Sequence, residues 1–111
     1  MKDYIVPILL QAELGERAHA FCKKELKWMD FKYYPNARGK FIYLYRLNLS
    51  NGSIQRLGRL TYEGDSENME FAIYNSRSGR YDPVEERFSG SKYLDGTIEG
   101  ALRALSATYP V

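Results

Sequence analysis

The sequence predicts an α+β domain of order αββββ(β)α, in which an antiparallel meander of four to five strands lies between an N-terminal and a C-terminal helix. Three observations predict it. Apolar residues after Pro7 recur at helical spacing, the period drops to two from Phe31 onward between clusters of turn-forming residues, and helical spacing returns after Asp95. The 111 residues contain no long polar stretch to act as a linker, so residues 1–111 read as one domain. With 44% hydrophobic and 14% aromatic residues, the chain can fill one core without disulfides or metals.

Pro7 can open a helix, because its missing N–H is not needed in a first turn. Leu10, Leu14, Ala18, Phe21, Cys22 and Met29 then form one stripe, which predicts a helix from about Pro7 to Trp28 with Gly15 as its weak point. Phe31 to Tyr34 and Phe41 to Leu49 follow as a hairpin around Pro35, Asn36 and Gly39. Between Leu49 and Ile54 stands Asn51-Gly52, the pair that a two-residue type I′ hairpin prefers. Gly64 to Asn68 reads as a turn into a strand from Met69 to Asn75, and Ser76 to Gly79 as a turn into Arg80 to Asp82. Asp95 or Thr97 can cap a last helix carrying Ile98, Ala101, Leu102, Leu105 and Tyr109, with Pro110 as its stop.

A two-residue Asn51-Gly52 turn would set Leu49 opposite Ile54, Leu47 opposite Arg56, Tyr43 opposite Leu60 and Phe41 opposite Tyr62. That face, continued by Met69, Phe71 and Ile73, is the predicted core. The opposite face would carry Ile42, Leu44 and Leu57, with Ala72, as an apolar centre ringed by Lys32, Tyr34, Arg46, Arg59 and Tyr74. If both helices cover the core side, such a patch is a candidate partner surface. If one helix covers each side, both faces are core and Arg46 and Arg59 snorkel at the edge.

The formal charge of +2 is too small to drive strong non-specific attraction to nucleic acid or to an anionic membrane. A lone cysteine, Cys22, excludes an intrachain disulfide and points to a reducing, cytoplasmic setting. The apolar run from Tyr4 to Leu10 is too short for a membrane span and lacks the features of a signal peptide.

No constellation of catalytic residues stands out. His19 and Cys22 lie three apart on the first helix, as a metal pair or a thiolate and its base would, but two ligands do not make a zinc site, and a buried cysteine beside a surface histidine is the commoner case. Asp82, Glu85, Glu86, Asp95 and Glu99 match no calcium loop; helix capping and dipole complementarity account for the last two. Gly90, Gly96 and Gly100 lack the strand and lysine of a phosphate loop and read as turn and close-packing glycines. Arg17, Lys23, Lys24 and Lys27 read as the solvated side of the first helix.

The segments Phe71-Ala72-Ile73-Tyr74, Tyr81-Asp82-Pro83, Asp95 to Ala101 (DGTIEGA) and Tyr109-Pro110 resemble an uncharacterised family of small bacterial proteins. The likeness covers the last third of the chain. It implies a bacterial source and carries no activity, cofactor or site residue.

The expected function is therefore non-catalytic binding, with no cofactor or metal: a small interaction module that associates with a second copy, or with another protein, through Lys32, Tyr34, Ile42, Leu44, Arg46, Leu57, Arg59 and Tyr74. Single-stranded nucleic acid, gripped by Tyr34, Tyr74, Arg46 and Arg59 on that face, is the second expectation, and an enzyme the last.

Overall fold

Among the described residues, five strands form one antiparallel sheet: β1 (Phe31–Arg38), β2 (Phe41–Asn48), β3 (Ile54–Thr61), β4 (Glu70–Asn75) and β5 (Arg80–Pro83), hydrogen-bonded in chain order. Helix α1 (Ile8–Glu25) precedes them, and a 3-10 turn at Ser91–Tyr93 leads into α2 (Ile98–Thr108). The architecture is that of a computed structural model, which describes residues 4–26, 30–83 and 90–108. It matches the α+β meander read from the sequence. No described helix is long and apolar enough to cross a membrane.

Local chemistry sets the element ends. Pro7 stands just outside α1 in extended conformation, and its carbonyl accepts the Gln11 N–H at 2.9 Å. The helix ends at Glu25; the predicted continuation to Trp28 and Met29 lies outside the described residues. Strand β1 runs through Pro35, which an edge strand tolerates because its missing N–H has no partner to lose. The turn falls instead at Gly39-Lys40, with φ 61° at Gly39, the position where a type II′ turn takes glycine. At α2, Thr97 acts as the cap: its hydroxyl accepts the Gly100 N–H at 3.1 Å, while Asp95 accepts the Thr97 N–H at 3.0 Å and its hydroxyl at 2.6 Å. Gly100 serves that cap rather than an approach to the sheet. A Cβ there would collide with the Asp95 carboxylate and the Tyr93 carbonyl.

The register between β2 and β3 departs from the predicted one twice, and the second departure changes which residues share a face. The hairpin between β2 and β3 closes at Asn48, whose N–H reaches the Ser53 carbonyl at 2.9 Å, so four residues form the loop and only Gly52 takes a positive φ. A bulge then breaks the ladder: Tyr45 pairs with Arg56, but Leu44 pairs with Gly58. One extra residue in β3 reverses the side to which every later side chain points. Leu60 therefore lies beside Ile42 instead of Tyr43, and Arg59 lies beside Tyr43.

Both helices pack on the Ile42 side and against each other. Leu14, Ala18 and Phe21 of α1 and Ile98, Ala101, Leu102 and Leu105 of α2 close over Ile42, Leu44, Leu57, Leu60, Phe31 and Tyr33. Ile42 and Leu44 are 0% exposed and Leu57 is 1%. Ile42, Leu44 and Leu57 of the predicted open centre are thus core, Phe41 and Tyr43 of the predicted core face lie on the open side, and Leu60 and Met69 are buried as predicted. The reading with one helix on each face fails too, since nothing in the described chain covers the second side.

Arg17 ties the helices together. From α1 it donates to both Glu99 oxygens, at 2.7 and 2.5 Å, and to Glu67 at 3.0 Å. The solvated role read for Arg17 and the dipole role read for Glu99 are replaced by this bidentate pair. Hydrogen bonding to Arg17 holds the Glu99 carboxyl below its ordinary value of 4.5. A carboxyl depressed in the folded state stabilises fully above its unfolded value and loses that contribution as pH falls through the folded one. Urea unfolding should show stability flat from neutral pH to about 5 and falling below it, with a shallower fall in Arg17→Met. Equal acid limbs in the two proteins would show that the pair contributes nothing to folding.

Candidate functional site

With helices on one side, the other side of the sheet is left with the residues that alternate out of the core. From the pairing these are Lys32, Tyr34, Asn36 and Arg38 on β1, Phe41, Tyr43, Tyr45 and Leu47 on β2, Ile54, Arg56, Arg59 and Thr61 on β3, Glu70, Ala72 and Tyr74 on β4, and Tyr81 and Pro83 on β5. An antiparallel sheet with one wet face normally alternates to small polar groups there. This face carries phenols and guanidinium groups instead. Tyrosine suits it because its ring packs on the pleat while its hydroxyl stays in water.

One row crosses all five strands. Tyr34 pairs with Tyr45, Tyr45 with Arg56, and Tyr74 with Tyr81, while the Arg56 guanidinium lies 5.8 Å from the Tyr74 ring centroid. Tyr34 and Tyr45 stack on each other, centroids 5.3 Å apart and planes 18° from parallel. Tyr74 and Tyr81 lie 5.1 Å apart at 55°. Beyond Gly58 and Ile73 the paired ladder of β3 and β4 ends, and a cleft of about 380 Å³ lined by Ile54, Gln55, Arg56, Tyr74 and Ser76 opens at the end of the face.

A second row places Arg59 at the centre, between Tyr43 and Ala72. Its guanidinium lies 4.2 Å from the Phe41 centroid and 5.0 Å from that of Tyr81, which reaches over the small Ala72 from β5. Tyr43 and Tyr81 meet edge to face at 5.5 Å. Burial in this cluster, foremost, pushes the Tyr81 phenol above its ordinary value.

The face is also charge-segregated. Lys32, Arg38, Arg56 and Arg59 project from it, against Glu70 as the acid of the paired strand residues on that side. The small net charge of the whole chain therefore hides a local excess of cations.

Of the residues singled out from the sequence, Lys32, Tyr34, Arg59 and Tyr74 come together on this face. Ile42, Leu44 and Leu57 do not: they are buried beneath the helices, so no surface can be centred on them. Arg46 also points to the helix side, where it lies 5.2 Å from the Phe31 centroid and donates to Gln55 at 2.6 Å. The residues missed are Tyr43, Tyr45, Tyr81, Phe41, Arg38 and Arg56. Two signals for them were present: an isolated glycine in a strand, Gly58, which marks bulges, and the contrast between aliphatic Ile42, Leu44, Leu57 and Leu60 and the phenols on the other parity.

The remaining candidates take structural places. The Tyr33 N–H donates to Cys22 Sγ at 3.2 Å, fastening α1 to the outer edge of β1, and burial pushes the Cys22 thiol up, away from a reactive thiolate. His19 is exposed beside it. Among the described residues no three His, Cys, Asp or Glu side chains gather as a metal site would require. Asp82 accepts a hydrogen bond from Asn75 at 3.2 Å; Glu85, Glu86 and Lys27 lie outside the described residues. Lys23 and Lys24 are exposed in the last turn of α1.

Comparison with known proteins finds no matching family model, no matching curated protein and no matching solved structure.

Proposed function

We propose that this chain binds single-stranded nucleic acid across the open face of its sheet. The observation that carries the reading is the row Tyr34, Tyr45, Arg56, Tyr74 and Tyr81, which sets aromatic rings and a guanidinium side by side over five strands. Bases stack on exposed aromatic rings whatever their sequence, and arginine or lysine takes the phosphates between them. A sheet face of this kind accommodates roughly two or three stacked bases.

Association with a second copy through the same face is less favoured. A two-fold interface sets the same patch against itself, so Lys32, Arg38, Arg56 and Arg59 would face a second set of the same cations with Glu70 as the acid of the paired strand residues on that side. Nucleic acid brings the opposite charge.

The test is fluorescence anisotropy with a labelled ten-nucleotide oligothymidylate or oligouridylate. Binding should weaken with salt, with a log–log slope of about −0.7 for each phosphate neutralised. Tyr45→Ala should weaken it by roughly 5- to 150-fold, the value of one stacked base. A flat salt response, or full affinity in the variant, would sink the reading.

A further inference from the structure

We infer that Arg59 is the phosphate seat of this face, the fixed point at which a single backbone phosphate of the strand is held while its bases lie on the tyrosines to either side. The inference rests on the nucleic-acid reading above and identifies which cation does the gripping.

Arg59 is set apart by a buried Nε and by two aromatic rings against its guanidinium. Arg17 is paired with Glu99 and Glu67, Arg103 with Glu25, and Arg46 donates to Gln55. Arg59 has no carboxylate partner among the described residues, and its Nε is buried without an acceptor. Buried donors are nearly always paired, so an unpaired guanidinium N–H calls for an explanation. Here the cause is local. The rings of Phe41 and Tyr81, at 4.2 and 5.0 Å, shut water away from the stem of the guanidinium and fix its plane.

That arrangement suits an external anion. A guanidinium packed against two rings keeps its planar fork, and with Nε buried its two Nη groups are the pair that matches a phosphate with two parallel hydrogen bonds. Held in place beforehand, it loses little side-chain entropy when the anion arrives. Arg59 also sits on the middle strand, with Tyr43 and Tyr45 on one side and Tyr74 and Tyr81 on the other. A phosphate there leaves the adjoining bases room on both sides. Lys32 and Arg38 lie on the outermost strand and Arg56 is exposed, so they are suited to looser, screened contacts.

The experiment compares wild type, Arg59→Gln, Arg59→Lys and Tyr45→Ala with the same labelled ten-nucleotide oligothymidylate between roughly 50 and 200 mM salt. Arg59→Gln should lose about tenfold or more in affinity, and its salt slope should become shallower by about 0.7, one phosphate's worth on a single strand. Arg59→Lys should keep the slope and still lose several-fold, because an ammonium cannot reproduce the planar fork. Tyr45→Ala should weaken binding at unchanged slope. The melting temperature of Arg59→Gln should match or exceed that of wild type, since the variant removes an unpaired buried donor. Wild-type affinity in Arg59→Gln, alongside weakened Tyr45→Ala, would overturn the phosphate seat and leave the nucleic-acid reading standing. If Arg59→Gln fails to fold, wild-type affinity in Arg59→Lys overturns the seat equally. No binding by wild type would overturn both.

Discussion

Replacing Leu44 with glutamate should unfold this protein. Leu44 is 0% exposed, at the centre of β2, between Pro35 and Gly58 and beneath both helices. Truncating such a leucine costs about 2–5 kcal/mol, and a carboxylate at that depth adds several kcal/mol of lost hydration with no cation to repay it. A domain of this size has about 5–15 kcal/mol in hand, so the sum removes most or all of it. The neighbouring Tyr45→Glu should fold normally, because that side chain faces water on the opposite side of the same strand. Circular dichroism and a urea melt on the two variants read the difference directly. A cooperative, native-like Leu44→Glu would mean that the two faces have been exchanged.

Alanine at Gly58 should lower stability by about 1–3 kcal/mol, the usual cost of forcing extra atoms into a packed site. A Cβ built there would stand 2.8 Å from a ring carbon of Phe71 and 2.9 Å from the Ala72 carbonyl oxygen. The ring can give way, but the carbonyl belongs to the β3–β4 ladder and cannot. At about 4–8 °C for each kcal/mol in a small domain, the melting temperature should fall by roughly 4–24 °C. Phe71→Leu should recover part of the loss by withdrawing the ring, leaving the carbonyl clash. An unchanged melting temperature in Gly58→Ala would mean that the bulge has room to spare and that glycine is not what permits it.

Gly58 also explains how much of the molecule could be read from its sequence. The order of elements was legible because each rests on a local signal: the helical stripes of Leu10 to Phe21 and Ile98 to Leu105, the alternation from Phe31, and the glycines at 39, 52, 64 and 79, each of which takes a positive φ in a turn. Their spatial pairing was less so. Asn51-Gly52 reads as a two-residue turn, yet the chain closes a four-residue loop with Asn48 as its base, and the bulge at Leu57 and Gly58 then moves every residue beyond it to the other side. A period of two makes register unforgiving: one inserted residue exchanges core for surface.

The candidate site was partly legible for the same reason. Lys32, Tyr34 and Tyr74 keep company on one face in both readings, and Arg59 does so because it lies beyond the bulge. Ile42, Leu44 and Arg46 change sides relative to Lys32 and Tyr34 because the two-residue Gly39-Lys40 turn pairs them with Ala37, Pro35 and Tyr33, and Leu57 does so at the bulge. Aromatic content alone misled the core assignment, because Phe41, Tyr43 and Tyr45 outweigh Ile42 and Leu44 in apolar area. The phenolic oxygens decide the matter: each would need a partner if buried, and water supplies it on the open face at no cost.

The most direct test is a titration of isotope-labelled protein with unlabelled ten-nucleotide oligothymidylate, followed by NMR. The account predicts shifts in the ring signals of Tyr34, Tyr43, Tyr45, Tyr74 and Tyr81 and in the side chains of Arg56 and Arg59, with the amides of α1 and α2 unmoved. Shifts confined to the helices, or none at all at millimolar oligonucleotide, would contradict it.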